Sequence, residues 1–226
     1  YAGVMDKIRV HSTVCAHLCR LIASRKGLSS EIAFLCGLLH DIGMAATLLV
    51  LSERPKEEPA VSSSVLDEVL RQTHQEVSGM IAQLWKLPAD VQTVLAHHHT
   101  FPSNDSPHPL SAVMAITEEL SLALGKGVQI GAGRCDQVWP EVLGRAKDLL
   151  KISDDEEAEL LEAGRQIVAS VTQRSSEEEK KPAERKTSPR TVSAATSDSI
   201  HARDKSAAKV QARLSFWQRL RRLWSR

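Results

Sequence analysis

Between Ile32 and Leu51 lie twenty residues of which one, Asp41, is charged. Apolar side chains fall on most sides of any helix drawn through this stretch, so it must sit centrally and be buried. An ionised carboxylate in such a place is costly unless it is paired or coordinates a metal. The chain therefore has to fold around an apolar centre that holds a polar one inside it.

The rest of the sequence supplies helices to surround that centre. Apolar positions Val14, Leu18, Leu21 and Ile22 recur at helical spacing within 4–25. Ser29 and Ser30 ahead of Glu31 form an N-cap for a second helix, which runs through AFLCGLLHDIG toward Leu51. After a loop marked by Pro55 and Pro59, helices are expected over 61–72, 74–86, 89–99 and 109–124, with Pro88 as a first-turn proline. Gly125, Gly127, Gly131 and Gly133 punctuate a turn, and two more helices fit 138–151 and 154–174. No segment alternates with period two, so no strand is expected and the fold class is all-α.

The formal net charge of +1 conceals two unlike regions. Residues 1–174 hold 16 basic and 22 acidic residues, a net of −6, whereas residues 175–226 hold 13 and 6, a net of +7. Large apolar residues nearly vanish from 175–207, so this stretch reads as a disordered linker. A helical pattern returns over 208–226. On a helical wheel, Phe216, Trp217, Leu220, Leu223 and Trp224 fall in one apolar arc with Val210 and Leu214, opposite Arg219, Arg222 and Arg226. A basic amphipathic helix of this kind suits an anionic membrane surface, a partner protein or its own domain. Nucleic acid is disfavoured, because the basic cluster is short and no reading motif accompanies it.

The organisation is thus a helical domain over 1–174, a linker over 175–207 and a terminal helix over 208–226. No run of roughly 18 uninterrupted apolar residues occurs, so no transmembrane helix is expected. Tyr1 in place of Met fits a fragment or a processed product. Cys15, Cys19, Cys36 and Cys135 form no tandem CxxC pairs, which argues for a reducing cytosol over a disulfide scaffold.

Histidines carry the chemistry. His11 lies in the first helix, His40 and Asp41 are adjacent in the second, His74 opens a later one, and His97, His98 and His99 close the next. Imidazole nitrogens with a carboxylate suit Fe, Mn, Zn or Mg. A single histidine on an apolar face is usually a hydrogen-bonded core residue, so the residue types alone leave metal binding and a structural role both open.

The strings AFLCGLLHDIG (33–43) and HQEVSGMIAQLWKLPADVQTVLAHHH (74–99) resemble the HD superfamily, and more narrowly its HDOD branch, the HD-related output domain of bacterial signalling proteins. The segment around His11 and HPLSAVMAITEEL (108–120) extend the resemblance over roughly 1–170. It implies an all-helical bundle and a divalent transition metal, with His11, His40, Asp41, His74, His98 and His99 at the family's metal-binding positions and His97 a bystander. Ten residues precede His11 here, whereas an HDOD unit normally carries another helical half before its first histidine. Catalytic HD domains end their ligand set with Asp where this chain has Glu118, a residue off the Val113–Ile116–Leu120 stripe. The GYP motif of the related cyclic-di-GMP phosphodiesterases has no counterpart in HHHTFPSNDSP (97–107).

These readings lead to a cytoplasmic signal-transduction output or scaffolding module, peripheral at the inner membrane face if its tail binds lipid, with other signalling proteins or an upstream domain as partners. The alternative is a metal-dependent phosphohydrolase acting on a nucleotide or phosphoester, with Arg71 as the nearest phosphate-binding cation. Cys15 and Cys19 read as small buried hydrophobes, with a His/Cys zinc site as the other option. His17 reads as a surface residue, His108 as structural, and Trp85 and Trp139 as packing anchors.

Overall fold

A computed structural model of the chain describes residues 1–53, 61–99, 108–130, 133–134 and 138–180. All of them lie in the first of two units, Tyr1–Pro182 and Ala183–Arg226. The terminal helix read over 208–226, with Phe216, Trp217, Leu220, Leu223 and Trp224, falls outside the described residues, as does the linker from 181 onward.

The described body is an all-α bundle: α1 (Ala2–Arg25), α2 (Ser30–Leu39), α3 (Ile42–Ser52), α4 (Ser63–Leu84), α5 (Ala89–His97), α6 (Pro109–Ala123), α7 (Pro140–Leu150) and α8 (Asp154–Lys180). The Ser29 side chain accepts from the Ile32 amide at the start of α2, and Ser153 does the same for Glu156 at the start of α8. Helix α8 continues six residues past the expected end at 174, into the stretch read as linker. A two-residue antiparallel pair, β1 (Gln129–Ile130) with β2 (Gly133–Arg134), closes the glycine turn, where no strand was expected. It is too short to show a period in the sequence.

Two helix boundaries correct the reading from periodicity. The long second helix is broken, and His40 and Asp41 form the joint between α2 and α3. Conversely, 61–72 and 74–86 are one helix, α4, so His74 lies inside it and does not open a new one. The break at 40–41 is held by Ser78 of α4, whose hydroxyl donates to the His40 carbonyl at 2.6 Å and accepts from the Gly43 amide at 2.9 Å. Both backbone groups freed by the break are thereby satisfied.

Glycines flank the joint because backbones touch there. A Cβ on Gly37 would lie 2.5 Å from the Cys15 carbonyl oxygen and 2.8 Å from the Cα of Ala16, and one on Gly43 would strike the His74 carbonyl and lie 2.8 Å from Ser78 Oγ. Helix α2 therefore lies directly on α1, and α3 on α4.

Packing divides at the same place. One apolar cluster gathers residues of α1, α2, the end of α4 and α5–α8, including Leu18, Ile22, Ala82, Leu95, Ile116 and Leu160. A smaller one joins Ile8 with Met44 and Leu48 of α3 and Leu66 and Leu70 of α4. By length and mean hydropathy (1.9), Ser30–Ser52 reaches what a membrane span needs, although Asp41 interrupts its apolar run. In this fold the segment is two helices with a buried carboxylate between them; part of its apolar side enters the two clusters, whereas Leu38 and Leu49 are exposed, so the stretch is not buried on every side as its composition suggested.

Trp85 and Trp139 are not packing anchors. They are 53% and 61% exposed, Trp85 at the C-terminal cap of α4 and Trp139 at the N-terminal cap of α7. His17 is half-buried and meets the Phe34 ring edge-on at 5.4 Å, a contact that a surface assignment missed.

Candidate metal centre

Four helices and the α2–α3 joint bring seven polar side chains to one buried point. His11 comes from α1, His40 and Asp41 from the joint, His74 from α4, His98 and His99 from the end of α5, and Glu118 from α6. All seven are buried, none more than 8% exposed. His97, the bystander, is exposed. Glu118 is fully buried despite lying off the apolar stripe, because α6 is enclosed on nearly every side and has no solvent face at that level.

The imidazoles are oriented by backbone carbonyls. Nδ1 of His40 lies 2.9 Å from Gly37 O, Nδ1 of His74 lies 2.8 Å from Leu70 O, and Nδ1 of His98 lies 3.1 Å from Leu95 O. Nδ1 of His11 lies 2.9 Å from Lys126 O and 3.1 Å from Ser121 Oγ. Carbonyl oxygens only accept, so each Nδ1 carries a hydrogen and each Nε2 is left to face the centre. Gln75, with its amide oxygen toward the end of α5, accepts from the His98 and His99 amides at 3.3 and 2.7 Å and fixes that backbone.

At the centre the Nε2 atoms of His11 and His40 are 3.0 Å apart, as are those of His74 and His99. Asp41 stands between the two pairs. Its Oδ2 lies 3.5 Å from His11 and 3.2 Å from His40, and its Oδ1 lies 3.6 Å from His98 and 3.9 Å from His74. Glu118 reaches His40 at 2.9 Å and His11 at 3.7 Å. Yet neither oxygen of Asp41, neither of Glu118, nor Nε2 of His98 makes an aligned hydrogen bond. Buried carboxylates rarely go unsatisfied, and here their lone pairs converge on shared space and not on a donor. That is the arrangement of a donor set for a cation.

Electrostatics agree. Burial alone would raise the Asp41 pKa, but the facing His40, with His98 and His74, holds it well below the carboxylate range. Burial likewise opposes ionisation of Glu118, and His40 with His11 outweighs it, bringing the carboxyl to about 2. His40 is lowered by burial but raised more by Asp41 and Glu118, ending well above an ordinary imidazole. On the far side burial dominates: His99 falls to about 3, and His74 is lowered too.

Arg71 does not join the set. It is exposed on α4, its guanidinium paired with Glu68 on the same helix. His108 caps α6 and lies 3.3 Å from Asp90. Cys19 faces Thr117 and Met114 in the core. Ser78, Ser121, Gly37, Gly43 and the Lys126 carbonyl were not found from the sequence. Only the glycines carried a signal, since glycine inside an apolar helix marks close approach.

Residues 3–101 match the HDOD domain. The resemblance read from the GLLHDIG and HHH strings is thereby shown. Ribonuclease Y of Deinococcus radiodurans is 26% identical over 113 residues, which cover 50% of this chain and 16% of that protein's length. The HD domain of the Listeria monocytogenes phosphodiesterase PgpH is 14% identical, covering 75% of this chain and 94% of its own, at a TM-score of 0.43. The HDOD match ends at residue 101, so His11, His40, Asp41, His74, His98 and His99 fall within it and Glu118 lies beyond.

Proposed function

We propose that this chain is a signal-transduction output module whose helical body holds a divalent transition metal, Fe, Mn or Zn, in the buried histidine–carboxylate centre. The observation that carries the metal is the set of unsatisfied oxygens of Asp41 and Glu118 facing the Nε2 atoms of His11, His40 and His98. His11, His40 and Glu118 with one oxygen of Asp41 would hold one ion, and His74, His98 and His99 with the other oxygen a second. The carbonyls of Gly37, Leu70, Leu95 and Lys126 keep the imidazoles in the ligating tautomer. The signalling role is supported by the HDOD match and by the absent GYP segment. Partners would be other signalling proteins or an upstream domain. The basic amphipathic pattern over 208–226 supports an anionic membrane surface as a second contact, and with it a cytoplasmic location at the inner face.

Elemental analysis of the chain purified without chelator tests the centre. Stoichiometric metal is expected, falling at least tenfold in Asp41→Asn, in line with the strong dependence of such sites on each surrounding group. Metal-free wild-type protein that also fails to take up added Mn²⁺, Fe²⁺ or Zn²⁺ would remove this reading.

One observation favours a phosphohydrolase instead: Glu118 does enter the set, so the last carboxylate is present. Bound ions would supply Lewis-acid polarisation of a phosphoryl oxygen. The chain itself would supply their placement, with Asp41 spanning both halves and burial excluding bulk water. Little or no turnover of cyclic dinucleotides with Mn²⁺ or Fe²⁺ is expected. Turnover that Asp41→Asn abolishes would replace the signalling reading with the enzyme.

A further inference from the structure

Four of the five imidazoles are held by their own rings: Nδ1 of His11, His40, His74 and His98 each lies against a backbone carbonyl. His99 is the exception. Its Nδ1 is buried without a hydrogen-bond partner, while its Nε2 lies 3.0 Å from Nε2 of His74. A ligating histidine ordinarily gives its second ring nitrogen to a carbonyl or carboxylate, which sets the direction of the ring. His99 must be placed by other means. It stands beyond the last residue of α5, where the helix no longer dictates the backbone. Among the described residues no backbone carbonyl takes its amide. Gln75 does, through its side-chain oxygen at 2.7 Å, and the same oxygen reaches the His98 amide at 3.3 Å. Gln75 follows His74 in α4 and is half-buried. Two adjacent residues of α4 thus hold His99, His74 at the ring and Gln75 at the backbone. His11 and His40 take their anchors elsewhere, from the Lys126 and Gly37 carbonyls.

We infer that Gln75 is the positioning residue for His99, acting through the backbone amide, so that ion binding by the His74–His98–His99 half of the centre depends on it and binding by the His11–His40 half does not. The geometry asks only for an acceptor at this place. Gln75→Glu keeps one on a side chain of the same length, whereas Gln75→Met keeps the length and removes the acceptor. A ligand displaced by about 1 Å no longer meets its ion, and outer groups of this kind ordinarily account for about 10–100-fold in metal affinity. The metal dependence rests on the centre proposed above; the backbone contact does not.

Two measurements on the full chain separate the claims. Amide hydrogen exchange of the metal-free protein reads the contact itself. The His99 amide should be protected in wild type and in Gln75→Glu and exchange at least about tenfold faster in Gln75→Met, while the His40 amide, bonded to the Cys36 carbonyl, stays unchanged as the control for folding. Gln75→Leu serves if Gln75→Met disturbs that control. Equal His99 protection in all the proteins would overturn the inference, whatever the centre binds. Ring-nitrogen NMR during zinc titration then reads the two halves. Zinc-induced shifts at His11 and His40 are expected in every protein. Those at His74, His98 and His99 should need about tenfold more zinc in Gln75→Met and return to the wild-type range in Gln75→Glu. Shifts at all five rings that weaken together, or a His99 response indifferent to Gln75→Met, would overturn the positioning role and leave the centre standing. No zinc-induced shift at any ring of the wild-type protein would remove the centre and the inferred dependence together.

Discussion

In the proposed centre, His40 is where proton and metal would compete. Without an ion, its Nε2 faces Asp41 and Glu118, and the net effect of these carboxylates holds its pKa well above the ordinary 6.5. A cation at Nε2 must displace that proton. In the window above 6.5, up to the raised value, binding releases a proton from His40, so apparent affinity should rise with pH. Calorimetry in buffers of different ionisation enthalpy measures the release; metal affinity flat between pH 6 and 8 would contradict it. The same shift has a consequence for the metal-free protein. The stability that His40 contributes is fully present below its unfolded pKa and is lost as pH rises through the folded one.

At the scale of elements, the joint between α2 and α3 decides whether the centre forms. Gly43 is fixed by the approach of α3 to α4, where a Cβ would strike the His74 carbonyl. Gly43→Ala should cost about 2–3 kcal/mol through overpacking against rigid backbone and should displace His74 from the donor set. Ser78→Ala leaves the His40 carbonyl and the Gly43 amide unpaired in the core, and about 2 kcal/mol is expected for that loss. Denaturant melts, paired with metal content, check both. A Gly43→Ala protein with unchanged midpoint and full metal content would show that the helices separate easily.

For the whole molecule, an ion in the proposed centre, where four helices and the α2–α3 joint meet, would tie folding to occupancy. With free metal a hundredfold above Kd, the body should gain about 2.7 kcal/mol, or roughly 5–10 °C in Tm, and chelator should remove it. An unchanged Tm would mean that the unfolded chain binds metal as well. The tail is predicted separately. The 208–226 peptide is marginal as a free helix in water and should gain helicity on anionic vesicles, less so with Trp217→Ala and Trp224→Ala. Circular dichroism decides; no gain would leave a protein partner or its own domain as the better account.

Asp41 was legible in the sequence because a carboxylate in apolar surroundings is expensive unless partnered, and the histidines of the HD pair and the HHH string were picked out through the HDOD resemblance. Helical periodicity likewise gave the all-α class, and local capping placed the starts of α2 and α8. Other features depended on groups distant in the chain. The break at His40–Asp41 needs Ser78, 38 residues away, to satisfy it. Burial of Glu118 depends on how fully its neighbours enclose α6, which no stripe on that helix reveals. The tryptophans are exposed at helix caps, Trp85 closing α4 and Trp139 opening α7, which their residue type does not reveal. Residue types thus determined which side chains had to be removed from water, while only the tertiary structure decided which of them meet, since that depends on helix approach set by backbone contacts at Gly37 and Gly43.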